Sequence, residues 1–141
     1  MSDPFNLQRF VIAQTPVFDI VRDELAAGAK RTHWMWYIFP QIAGLGFSAM
    51  SQTYAISGRA EAQAYLAHFM LGPHLRDCTS LVLSHAGRRS AVQIFGPIDA
   101  AKFRSCMTLF SQVSDEPVFE QGLEKYFDGN ADPETLARLG A

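Results

Sequence analysis

Three side chains able to carry positive charge, Lys30, Arg31 and His33, stand directly ahead of the two tryptophans of the chain, Trp34 and Trp36. The run Thr32–His33–Trp34–Met35–Trp36–Tyr37–Ile38–Phe39–Pro40–Gln41 carries no formal charge apart from His33. A guanidinium can hold a carboxylate or phosphate through two donors, and a broad aromatic surface can stack a flat ring. Together these residue types point to a pocket for a small anionic, ring-bearing metabolite such as a nucleotide derivative. Lys30, Arg31 and His33 would hold the charge, and Trp34, Trp36 and Tyr54 would form the wall. The competing explanation is structural: lysine and arginine solvated in a loop, indoles in the core. Even there each indole N–H needs an acceptor, and His33 needs a hydrogen-bond partner.

A second cationic stretch is Lys102–Phe103–Arg104–Ser105–Cys106–Met107–Thr108. On a regular helix, residues two apart point about 200° apart. Lys102 shares a direction with Ser105 and Cys106, whereas Arg104 shares one with Thr108 and Ser111. One of the two cations can then face a ligand while the other clamps structure, and a structural ion pair accounts for either alone.

Other chemistry has little support. Gly44–Leu45–Gly46 is too short for a dinucleotide fingerprint and reads as a turn. His68, His74 and His85 have no metal-ligand spacing, and no cofactor signature is present. Ser105 and Ser111 lie in no nucleophile-elbow pattern. Asp19, Asp23 and Glu24 could supply a carboxylate, but a solvated helix face explains them.

The elements that would position these residues read as helices. Asp3–Pro4, Thr15–Pro16 and Asp132–Pro133 each pair a capping residue with proline, whose missing N–H is not needed at a helix start. They predict helices from Asp3 to about Ala13, from Thr15 to about Ala27 with Gly28 at its end, and from Pro133 to Leu139. Val17, Ile20, Val21 and Leu25 form the expected inner stripe of the second helix. The period of the central run does not separate helix from strand. A short buried helix is chosen because no partner strand is evident, and Pro40 should turn Phe39 out of the helical region. Ser48, Ser57 and Ser90 read as caps of later helices, and Gly72–Pro73 reads as a break before another. Phe103, Cys106, Met107 and Phe110 mark one core face, and Phe119, Leu123, Tyr126 and Phe127 mark another. The chain thus predicts an all-α domain of about eight mostly short helices, spanning 1–141 as one unit.

Composition agrees with that class. Eleven phenylalanines in 141 residues favour an aromatic-rich core, and a formal charge of −2 gives no general attraction for nucleic acid. No leader-like or membrane-spanning run is visible, so a cytoplasmic, membrane-free protein is expected. Cys78 and Cys106 read as reduced, buried thiols.

These motifs bear a specific likeness. Asp3–Pro4–Phe5 with Leu7, Arg9 and Phe10; Gly28, Lys30 and Thr32–His33–Trp34–Met35–Trp36; Phe39–Pro40–Gln41; Gly44–Leu45–Gly46; Tyr54–Ala55–Ile56; Ile94–Phe95–Gly96; Lys102 with Arg104–Ser105 and Met107–Thr108–Leu109–Phe110; and Tyr126–Phe127–Asp128–Gly129 resemble the bacterial domain of unknown function 1810 (DUF1810) over nearly the whole chain. Phe69–Met70 departs from it, since many relatives have His-Pro there. The resemblance implies an all-helical fold, like the mycobacterial hypothetical protein that heads its structural superfamily, and no established activity. Members are often labelled calpastatin, but calpastatins are disordered inhibitors and this chain has too much core to be one. Two rival functions remain beside ligand binding. One is a hydrolase or glycosidase acting on such a ligand, which requires a positioned acid or histidine. The other is a pocketless interaction module with an exposed apolar patch.

Overall fold

The chain folds as ten helices: α1 (Gln8–Gln14), α2 (Phe18–Ala26), α3 (Met35–Ile38), α4 (Ala49–Thr53), α5 (Arg59–Ala67), α6 (Leu71–Leu83), α7 (Ala91–Phe95), α8 (Pro97–Val113), α9 (Pro117–Phe127) and α10 (Pro133–Leu139). The computed structural model describes residues 2–140. Met1 and Ala141, the outer limits of the expected 1–141 domain, lie outside the described residues. The helix number exceeds the expected eight, and three of the ten, α3, α4 and α7, are single turns. A parallel backbone bridge joins Ile42 to Ile56, and the described residues contain no strand beyond it.

The longest helix, α8, is the structural axis. It packs against α5, α7, α9 and α10, while α6 packs against α2, α3, α5 and α9. The stripe expected on α8 is fully inward: Phe103, Cys106, Met107 and Phe110 are all buried. Aromatic rings tie the helices together. Phe39 sits edge-on to Phe95 and Phe103 at 5.9 and 5.0 Å. Tyr65 links Phe10 at 5.1 Å to Phe110 at 5.5 Å. Both cysteines are free and buried.

Capping chemistry sets many of the helix boundaries. Ser48, Ser90 and Asp132 accept from the backbone N–H groups of Ser51, Gln93 and Thr135, and Ser90 forms a reciprocal capping box with Gln93. The first helix, expected from Asp3, starts one turn later: the Asp3 carboxylate takes the N–H groups of Leu7 and Gln8, and α1 begins at Gln8. Further expectations need correction. Thr15 does not cap α2; its hydroxyl bonds back to the Val11 carbonyl and α2 begins at Phe18. Ser57 serves Glu61 through both its N–H and its hydroxyl, and Gly58 precedes α5. Gly72–Pro73 lies inside the first turn of α6, where proline's absent N–H leaves no bond unmade. His68 Nδ1 accepts there from Met70 and Leu71. Ile20, expected in the stripe of α2, is 49% exposed because that helix turns Val21 and Leu25 inward instead.

The central run is one helical turn, α3, preceded by an irregular approach. Phe39 leaves the helical region with ψ 71°, as its position before Pro40 requires.

Candidate functional site

The approach to the central run is built by the end of α2. Gly28 adopts φ +70°, and the N–H groups of Gly28 and Ala29 return to the carbonyls of Leu25 and Glu24, the paired bonds of a Schellman cap. This reversal carries residues 30–34 back over the Glu24 side chain. Its carboxylate then accepts from Arg31 N at 2.7 Å, Thr32 N at 3.0 Å, the Thr32 hydroxyl at 2.7 Å and Trp34 Nε1 at 3.0 Å. Burial alone would raise the Glu24 pKa, but these four donors outweigh it and hold it below the ordinary carboxylate value. Glu24 is therefore a buried anchor and not part of a solvated face. Trp34 is 1% exposed, with its indole N–H satisfied, and is core.

Lys30 is equally committed. Its side chain is 7% exposed; Nζ lies 2.9 Å from Asp99 Oδ2, donates to the Thr32 carbonyl and stands over the Trp34 ring at 5.0 Å. The other oxygen of Asp99 faces Lys102 Nζ at 3.5 Å, and Lys102 in turn lies over the Trp36 ring at 5.1 Å. One carboxylate on α8 thus sits between two lysines, each covering one of the tryptophans.

Trp36 and Tyr54 do meet at a cavity. A hollow of about 360 Å³ lies between the 41–47 loop and α4, lined by Trp36, Gln41, Ile42, Ala43, Gly44, Gly46, Phe47, Ser51, Gln52, Tyr54 and Ala55. None of these lining residues carries a formal charge. The Ile42–Ile56 bridge fixes its floor through Ala43 N to Ile56 O and Ile56 N to Gln41 O. Tyr54 is braced by Phe10 and Tyr37, with ring centroids at 5.7 and 5.3 Å. Phe47, 88% exposed, stands on the rim, and its carbonyl accepts from Gln52. A second hollow of about 270 Å³ shares Gln41, Gly46 and Ser51 with the first and adds Lys102, Ser105, Asp132 and Glu134.

Of the residues singled out in the sequence, Trp36, Tyr54 and Lys102 come together around this two-part cleft. The others do not line it. Trp34 and Lys30 lie inside. Arg31 and His33 have exposed side chains, and in this region their main chain does the bonding, to Glu24 and Tyr37. Arg104 is the structural clamp: its guanidinium donates to the carbonyls of Asn130 and Ala131. The opposite directions read from residue spacing in α8 therefore separate a lysine at the cleft from an arginine holding the α9–α10 connection.

Sequence reasoning did not find Asp99, Asp132 or Phe47 as neighbours of the cleft. Asp99 has a local signal, since it precedes Lys102 by three residues on one helix face. Phe47 has none. Among the described residues, no group of three or more His, Cys, Asp or Glu side chains is placed to hold a metal ion. No described helix is long and apolar enough to cross a membrane.

Comparison with known proteins agrees with this architecture. No curated protein matches the chain. The crystal structure of the conserved hypothetical protein Rv1873 from Mycobacterium tuberculosis is similar over 99% of both chains, with 50% identity and a TM-score of 0.95. The model of the family described as "Protein of unknown function (DUF1810)" matches residues 4–139, and the chain belongs to that family.

Proposed function

We propose that this protein binds a small ring-bearing ligand with an acidic group in the Trp36–Tyr54 cleft. The observation that carries the reading is an uncharged aromatic hollow opening beside Lys102. Such a hollow buries a flat ring, while one adjoining cation orients its polar end. Trp36 and Tyr54 supply the stacking surface, and Lys102 the charge. Lys30, Arg31, His33, Trp34 and Arg104, which the sequence also nominates, have no ligand role in this narrower reading. Hydrolysis is not included: no histidine lines either hollow among the described residues, Asp99 is held between two lysines, and of the two acids lining the second hollow Asp132 caps α10 and Glu134 stands largely exposed.

Tryptophan fluorescence tests this directly. In a Trp34→Phe variant, Trp36 is the remaining indole. A panel of nucleotides and aromatic acids, indole-3-propionate and AMP among them, should include compounds that quench it saturably and raise Tm in the wild type. Lys102→Met should weaken their binding about tenfold, a loss of about 1.4 kcal/mol. If no anionic ring compound changes either Trp36 emission or Tm, the reading fails.

A further inference from the structure

We infer that the ligand is zwitterionic: an aromatic ring joined to an α-amino-acid-like head, with its carboxylate at Lys102 and its ammonium at Asp132 and Glu134. This rests on the reading above and specifies the half of the ligand that the aromatic hollow leaves open.

The second hollow is where the charges are. It is lined by one cation, Lys102, and two carboxylates, Asp132 and Glu134. Lys102 has bonding capacity left. Among the described residues its ammonium has only a 3.5 Å ion pair and an indole face, and the Asp99 it addresses is more closely engaged by Lys30 at 2.9 Å. Asp132 is also half used. Its Oδ2 takes the Ser105 hydroxyl at 3.1 Å, Thr135 N at 3.2 Å and the Thr135 hydroxyl at 2.6 Å, while Oδ1 takes no hydrogen bond among the described residues. Glu134, largely exposed, lies 4.0 Å from Arg138, a second cation whose guanidinium packs against Gly44 on the wall of the first hollow and leaves the second to Lys102.

The two signs are held close together by α8. Ser105 follows Lys102 by three residues, so the two share one face, and Ser105 is the residue that bonds Asp132. A ligand bearing only an anion would bring it up to two carboxylates and one partly neutralised lysine. A ligand bearing only a cation would meet Lys102. A molecule carrying both charges on groups attached to one carbon satisfies both sides, and like-charge juxtaposition penalises the alternatives. Gln41, Gly46 and Ser51 border both hollows, so a ring and its charged head can occupy them together.

Titration calorimetry on the full-length protein distinguishes the outcomes. The probes are L-tryptophan, L-tyrosine and L-phenylalanine, with indole-3-propionate lacking the ammonium, tryptamine lacking the carboxylate, and AMP. The best aromatic amino acid is expected to bind at least tenfold more tightly than each single-charge indole. Asp132→Asn keeps a good helix cap, and it should weaken the amino acid at least fivefold while indole-3-propionate, relieved of one like charge, binds more tightly. Glu134→Gln, at an exposed position, provides a second variant with the same expected direction. If indole-3-propionate or AMP binds as tightly as the amino acids, the zwitterion inference is overturned and the anionic ring site stands. If tryptamine binds as tightly, it is overturned in favour of a cation site. If no probe binds, this inference and the reading beneath it both fail.

Discussion

Four hydrogen bonds converge on the Glu24 carboxylate from a backbone segment, a hydroxyl and an indole, and Lys30 braces the same segment through the Thr32 carbonyl and the Trp34 ring. Glutamine keeps a carbonyl oxygen for three of the donors and can bond the Thr32 hydroxyl through its NH₂ once that hydroxyl turns to accept, but all four bonds lose the charge that strengthens them. Hydrogen bonds to a charged group are worth about 1.5–3 kcal/mol, against about 1 kcal/mol for neutral ones. Glu24→Gln is therefore expected to destabilise the protein by about 2–3 kcal/mol, lowering Tm by roughly 10 °C. Trp34→Phe removes one donor and leaves the other three bonds. Its smaller loss, read in the same thermal melts, would separate the role of the carboxylate from simple packing. A Glu24→Gln protein as stable as wild type would show that the 30–34 segment is held by other contacts. Arg9 plays a comparable part at the other side of the fold. Its guanidinium reaches the carbonyls of Phe5, Asn6, Thr53 and Ala55 and the Glu61 carboxylate, joining α1 to the start of α5.

Helix ends decide where these residues arrive. Gly28 has φ +70°, and a Cβ there would lie 3.0 Å from Arg89 Cδ and from His85 Cε1. The left-handed conformation alone costs a non-glycine residue about 1–2 kcal/mol. Gly28→Ala is expected to lose at least that much, because Arg89 and His85 are themselves bonded to the carbonyls of Gly28 and Leu25 and cannot move freely. Gly58→Ala is the control: its backbone is extended and nothing lies within 4 Å of the added carbon, so urea unfolding should place it within about 0.5 kcal/mol of wild type. Such local features explain what could be read in the sequence. Ser48, Ser90, Asp132 and Gly28 act within a few residues of their own position, so residue type and spacing sufficed. The stripe of α8 was legible for the same reason. Glu24 was not, because α2 offers Asp19, Asp23 and Glu24 in similar company and only the reversal at Gly28 selects one for burial. The pairing of Lys30 with Asp99 spans about half of the chain and depends on how α7 and α8 return to α2. The sequence therefore marked one stretch of aromatics and cations but could not divide it into a sealed half around Trp34 and an open half around Trp36.

At the scale of the whole molecule, the titratable groups give stability a plateau with two falling limbs. Burial, with a small opposing effect from Asp77 and a reinforcing one from Arg22, lowers the pKa of His74, whose Nδ1 lies 2.8 Å from Gln14 Oε1. Gln14 in turn donates to the Tyr37 carbonyl and the Tyr65 hydroxyl, so this histidine closes a buried polar network. Since the folded state resists protonating His74, the unfolded state binds more protons below the ordinary histidine value of 6.5, and stability is lost as pH falls from there. The depressed carboxyls of Asp3, Glu24 and Glu116 act in the same direction but lower, below about their ordinary values of 3.8 to 4.5. On the alkaline side burial pushes the Cys78 thiol from 9.0 up to about 12, and the Cys106 thiol upward as well. The unfolded chain then releases protons first, and stability falls as pH rises above about 9. Urea unfolding followed from about pH 2.5 to 10 should show a flat region between about 6.5 and 9, flanked by limbs with a slope of at most about 1.4 kcal/mol per pH unit for each proton involved. His74→Asn keeps a donor near Gln14 and removes the titration, so it should erase the loss between pH 6.5 and 5 while leaving the steeper carboxylate limb below it. A wild type equally stable at pH 5 and pH 7, or a His74→Asn protein with an unchanged upper limb, would locate the acid sensitivity elsewhere.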